Sequence, residues 1–181
     1  MPVTSLLDRN AAFAGTGATA SLPAIPFVPN QLAFVVSCLD PRTDPASFLG
    51  LDIGDAIVLR NLGGRVTPSV IEQIAYVSYL VETKVPDGPY FEIAVVHHDD
   101  CGTGFLADEQ LRDDFAARWG YDSAALAELP VLEPAKTVAH DVDLLVHAPQ
   151  LWSRFAVSGW AYDVHGGRLT QVVPPTQALG H

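Results

Sequence analysis

The chain has 181 residues, 49% of them apolar, with 21 acidic against 10 basic side chains for a net charge of −11. That length suits one domain with a core of its own. The negative field, with no Lys/Arg cluster to reverse it locally, excludes nucleic acid and argues against an anionic membrane surface as partner. Residues 1–30 lack the basic stretch and apolar run of a secretory signal. No apolar run approaches the roughly twenty residues that span a bilayer, so a cytoplasmic protein is expected. In a reducing compartment the only two cysteines, Cys38 and Cys101, are expected as a metal site or free thiols rather than a disulfide.

Ser5 to Phe13 reads as a short helix. Ala14 to Asn30, with Pro23, Pro26 and Pro29 at three-residue spacing, favours extended backbone that wraps a neighbour or stays mobile. Residues 1–30 are therefore set apart as an N-terminal arm, and 31–181 as a single domain. Leu32 to Val36 is apolar without alternation, the pattern of a strand covered on both faces, and Ala56 to Leu59 is a second such strand. Thr67 as N-cap and Pro68 at the first helical position open a helix with Val70, Ile74, Val77 and Val81 on one face. It must stop before Pro86. Phe91 to Val96 is the third buried strand. Asp108 to Trp119 reads as an amphipathic helix through Leu111 and Phe115, and Thr137 to His147 as another through Val138, Val142 and Leu145. Phe155 to Val164 alternates like a strand with one wet face, and Gly166-Gly167 is a two-residue turn into a closing strand, Arg168 to Val173. Strands alternating with helices predict an α/β fold with a mainly parallel sheet.

The chemistry collects where those strands end, as it does in open α/β sheets. Ser37-Cys38-Leu39-Asp40-Pro41-Arg42 follows the first strand, and His98-Asp99-Asp100-Cys101-Gly102 follows the third. Two lone cysteines ordinarily serve as small buried hydrophobes. Here two thiols and an imidazole supply three ligands of a tetrahedral zinc site, and a catalytic zinc keeps its fourth position open. On an extended segment Cys38, Asp40 and Arg42 point to one side, which brings a carboxylate and its guanidinium partner beside the metal. His97 should face the opposite way. His140, His147, His165 and His181 have no partner pattern, and Asp99 and Asp100 are expected to cap the following turn or contact backbone.

Cys-x-Asp-x-Arg followed by His-x-x-Cys-Gly resembles the zinc and dyad signature of the β-class carbonic anhydrases. The resemblance continues through Gly54-Asp55-Ala56, Arg60-Asn61-Leu62-Gly63-Gly64-Arg65-Val66, Ser158-Gly159-Trp160-Ala161-Tyr162-Asp163-Val164 and Gly167-Arg168-Leu169, in the family's order. It implies the β-carbonic anhydrase α/β fold: a mainly parallel central sheet, an antiparallel terminal strand or hairpin, and flanking helices. It also implies one Zn2+ per chain on Cys38, His98 and Cys101, making 31–181 a zinc-binding domain. Asp40 and Arg42 would form the catalytic dyad, with Asp40 reaching the zinc only in a closed state. The backbone of Gly63 and Gly64 would border the pocket, while Arg60 and Arg65 would serve as interface or structural ion pairs.

The implied reaction is hydration of CO2 to bicarbonate by zinc-bound hydroxide, in a homodimer or an assembly of dimers. Relatives on the same scaffold hydrolyse carbonyl sulfide or carbon disulfide, which is the alternative reading. A catalytically silent zinc-binding regulatory module is the reading from a different class. The short proline-rich N-terminal segment departs from the longer helices of many relatives. Ser37 and Pro41 replace residues that are often Gly and Ser in the family.

Overall fold

Three apolar runs become parallel strands of one sheet in the computed structural model, which describes residues 4–20, 22, 28–88 and 91–180. The strands are β1 (Ala33–Cys38), β2 (Ala56–Asn61), β3 (Glu92–His98), β4 (Ala156–Asp163) and β5 (Arg168–Gln177). Their order is β2-β1-β3-β4-β5, with the first three pairings parallel and β4–β5 antiparallel. The chain leaves β1 to one side for β2, then crosses to the other side for β3. Strand order thus reverses between β1 and β3, the place where a crevice opens beyond the strand ends.

Helices α3 (Pro68–Lys84) and α6 (Pro134–Val146) cover one face of the sheet. Val70, Ile74 and Val81 of α3 and Val138, Val142 and Leu145 of α6 are buried with Phe34, Val36, Ile93, Val95 and Val157. Both helices begin at a proline, whose fixed φ and missing N–H suit the first turn. The reading of α3 holds, although Thr67 caps by backbone geometry without a side-chain hydrogen bond and Val77 is only half-buried. On the other face, the short α2 (Pro45–Leu49) stacks Phe48 on Tyr162 at 4.5 Å between ring centroids, beside Val35 and Val96. Helices α4 (Glu109–Trp119) and α5 (Ser123–Ala127) join β3 to α6.

Several sequence expectations change. β2 is not covered on both faces; it is the sheet edge, with Val58 exposed. β4, read as having a wet face, lies inside the sheet, and of its residues only Asp163 is exposed. The hairpin spans four residues, not two, because Asp163 pairs with Arg168. Its turn is held by the Asp163 carboxylate, which accepts the N–H groups of His165 and Gly166. Leu111 and Phe115 of α4 are exposed, and Ala116 takes the buried position instead. In the arm, α1 runs Thr4–Gly15 with Leu6, Leu7 and Phe13 exposed. Pro23 and Pro26 lie outside the described residues, while Pro29 is buried.

Candidate metal centre

Cys38 is the last residue of β1 and His98 the last of β3, so the register of the sheet delivers both to the same crevice. The backbone beyond Cys38 is tied down before it can wander. Leu39 N–H donates to Asn61 O at 2.8 Å, and Arg60 donates through Nε to Cys38 O at 2.9 Å and through Nη2 to Asp40 O at 2.6 Å. Arg60, read as an interface or structural residue, is thus a backbone clamp.

Cys38 Sγ and Cys101 Sγ stand 3.9 Å apart and both thiols are free. That separation is far too long for a disulfide. It matches the spacing of about 3.8 Å expected for two thiolates sharing a tetrahedral zinc. The ligand atoms of Cys38, His98 and Cys101 all lie within 4.8 Å of one another, and all three residues are buried. His98 Nδ1 is 2.7 Å from the Asp99 carbonyl. A carbonyl only accepts, so Nδ1 carries the proton and Nε2 presents its lone pair. That Nε2 is buried without a hydrogen-bond partner. A buried, unpartnered acceptor beside two thiols fits a metal ligand and is costly otherwise.

The two thiols behave as an acid pair. Hydrogen bonding from Cys38 outweighs the opposing effect of burial and, with Thr103, holds Cys101 well below the usual thiol range. The hydrogen bond to Cys101, together with burial, pushes Cys38 up. Second contacts on the sulfurs are already in place. The N–H groups of Asp40 and Gly63 point to Cys38 Sγ. Thr103 accepts from Val131 N–H at 3.1 Å and so directs its hydroxyl proton to Cys101 Sγ at 3.2 Å. Val131 closes the apolar side of the thiol pair.

Asp40 and Arg42 do meet, but not on an extended segment: the chain turns into a 3-10 helix over Pro41–Thr43, and Asp40 is its N-cap. Arg42 donates through Nε to Oδ1 at 3.0 Å and through Nη2 to Oδ2 at 2.7 Å, a two-pronged bond. The Arg42 backbone N–H adds a third contact to Oδ1 at 2.9 Å. These hydrogen bonds, the guanidinium foremost, hold the Asp40 carboxyl down at about 2.

The glycine pair borders the thiols. Gly64 has φ +68°, and a Cβ there would lie 2.8 Å from Val96 O and 3.0 Å from Cys38 N. Only glycine lets the loop wedge between the ends of β1 and β3. Gly63, at φ +73°, faces Thr103 and Val131.

Three groups escaped sequence reasoning. Thr103 and Val131 carried no motif. Asp141 of α6 is fully buried and accepts Arg65 Nε at 2.8 Å, Arg65 Nη2 at 2.9 Å and Val66 N–H at 2.7 Å, with His97 Nε2 at 3.3 Å. His97 therefore points away from the thiols as expected, its Nδ1 on Thr137 Oγ1 at 2.7 Å. Of the adjacent aspartates, Asp99 accepts Val164 N–H as a backbone contact, but Asp100 reaches Arg42 Nη1 at 2.7 Å. His140, His147 and His165 are exposed, and His181 lies outside the described residues.

Residues 33–120 match the family model described as carbonic anhydrase. The chain is 28% identical to beta-carbonic anhydrase 1 of Mycobacterium tuberculosis over 83% of its own length and 87% of the relative's. It is 25% identical to the carbon disulfide hydrolase of Acidithiobacillus thiooxidans over 83% and 80% of the two chains. Among solved structures, carbonic anhydrase from Streptococcus mutans superposes with a TM-score of 0.72 at 29% identity, covering 95% of this chain and 98% of that one. The strand order, the ligand signature and these likenesses agree, and the chain belongs to the β-carbonic anhydrase family.

Proposed function

We propose that this protein holds one Zn2+ on Cys38, His98 and Cys101 and catalyses the reversible hydration of CO2 to bicarbonate. The observation that carries this reading is the convergence of two thiols and an unpartnered imidazole nitrogen beside an arginine-held carboxylate. Bound zinc supplies a Lewis acid that brings water to hydroxide near neutral pH. Asp40 stays ionised under Arg42 and offers its acceptor lone pairs to the attacking water, fixing its orientation. Arg42 holds Asp40 off the metal, and Asp40 becomes a metal ligand only in a closed state. The Gly63–Gly64 backbone walls the pocket and presents an N–H to the Cys38 sulfur. Thr103 and Val131 keep the thiols oriented and shielded from water.

The carbon disulfide hydrolase relatives favour a second reading, in which the same site attacks carbon disulfide or carbonyl sulfide. Stopped-flow CO2 hydration near pH 8 on metal-quantified protein, beside sulfide release from both sulfur substrates, separates the two. Fast CO2 turnover lost on zinc removal supports the first. Sulfide release without CO2 turnover moves the assignment to the second. Neither activity with one zinc per chain leaves the silent regulatory module.

Leu39 and Leu62, which adjoin the site, and Phe105 of the following turn are exposed at 52, 52 and 73%. This apolar rim, with the unburied leucines of α1, supports a homodimer or an assembly of dimers. A monomeric mass by light scattering at micromolar concentration would remove that part of the reading. Among the described residues no helix is long and apolar enough to cross a membrane, and the paired thiols suit the reducing cytoplasm.

A further inference from the structure

Arg42 is held from two directions, and only one of them belongs to the dyad. Its Nε and Nη2 donate to the Asp40 carboxylate, while Nη1 donates to Asp100 Oδ2 at 2.7 Å and Nη2 to Asp100 O at 3.0 Å. One residue thus offers both its side chain and its carbonyl to the same guanidinium. It does so in an unusual conformation: Asp100 and Leu32 are the only non-glycine residues with positive φ among the described residues, Asp100 at +50°. Aspartate tolerates this left-handed region better than most residues, but it is not where a residue settles without cause. The turn separates two adjacent aspartates by task. Asp99 gives its carbonyl to His98 Nδ1 and its carboxylate to Val164 N–H, while Asp100 faces Arg42.

An arginine side chain that is 42% exposed, paired only with a carboxylate two residues away, has rotamer freedom to lose and little to hold it. A second anchor from the end of β3 pins the guanidinium between the two strand ends, and Asp40 is pinned with it. We propose that Asp100 is a positioning residue that acts through Arg42 to keep the Asp40 carboxylate off the metal centre. This rests on the metal site proposed above.

Asp100→Gly is the direct test, because glycine adopts the same φ and spares the fold and the carbonyl contact. It should retain stoichiometric zinc and lose about 10-fold in kcat/KM, the lower end for an outer partner of a metal site. The cobalt-substituted variant should show a changed visible spectrum, as Asp40 joins the metal. That change should vanish in the Asp40→Asn background, and Asp100→Asn, which keeps an acceptor oxygen, should restore part of the activity. Wild-type turnover and spectrum in Asp100→Gly would overturn the inference. So would a spectral change that persists without Asp40. A wild-type chain that takes up no cobalt overturns the metal reading itself, and the inference with it.

Discussion

Replacing Asp141 by alanine removes an acceptor that four donors share in a fully buried place. Arg65, 8% exposed, is left as a buried cation whose remaining bond is to the Glu128 carbonyl. Breaking a buried ion pair from one side costs about 3–5 kcal/mol, because the surviving charge is uncompensated. The orphaned Val66 N–H sits inside the same cost. Against a domain stability of about 5–15 kcal/mol this is a large fraction.

Protonating Asp141 is milder, since its oxygens stay in place. Burial pushes the carboxyl up, but hydrogen bonds from His97, Arg65 and Val66 N–H outweigh it and bring it from 3.8 down to about 2. The difference amounts to about 2 kcal/mol of stability. Because the folded value is the depressed one, this contribution is complete above pH ~4 and is lost as pH falls through about 2. Urea unfolding at pH 7, followed by fluorescence and circular dichroism, measures the first quantity. Repeating it between pH 5 and 2 measures the second. A loss below about 1 kcal/mol at pH 7, or an unchanged acid slope in the variant, would refute the assignment of Asp141 as the network's anchor. Asp141→Leu combined with Arg65→Met should recover part of the loss, as removing both charges relieves the orphaned cation.

Asp40→Asn should abolish turnover while one zinc per chain remains by metal analysis; full activity would remove the dyad from the reaction. Gly64→Ala meets backbone at 2.8 and 3.0 Å and a left-handed φ besides, so it should lower the melting temperature sharply and weaken zinc binding. Gly63→Ala shares the left-handed φ, at +73°, but meets only side-chain atoms at 3.1–3.3 Å that can give way, and should do less harm on both readouts. Equal effects at the two positions would contradict the close approach assigned to Gly64.

Local pattern was enough for much of this protein. Unbroken apolar runs marked β1 and β3, helical spacing marked α3 and α6, and Pro68 and Pro86 bounded α3 because proline accepts a first turn and refuses an interior one. The ligand candidates Cys38, His98 and Cys101 and the dyad of Asp40 and Arg42 were legible because they stand within a few residues of two strand ends, although the pairing of the dyad comes from the 3-10 turn over Pro41–Thr43 rather than from extended spacing. Periodicity could not say which strand lies at the edge. β2 and β1 are similarly apolar, and only the crossover to β3 leaves Val58 in the open. Nor could it find Asp141, which meets Arg65 only when α6 packs on the sheet. A buried charge has no sequence signal of its own, because its partner is chosen by tertiary contact. Asp100 turns to Arg42 rather than to its own turn because β1 and β3 are neighbours. Sequence determined the chemistry available at each strand end, and packing decided which of those groups face one another.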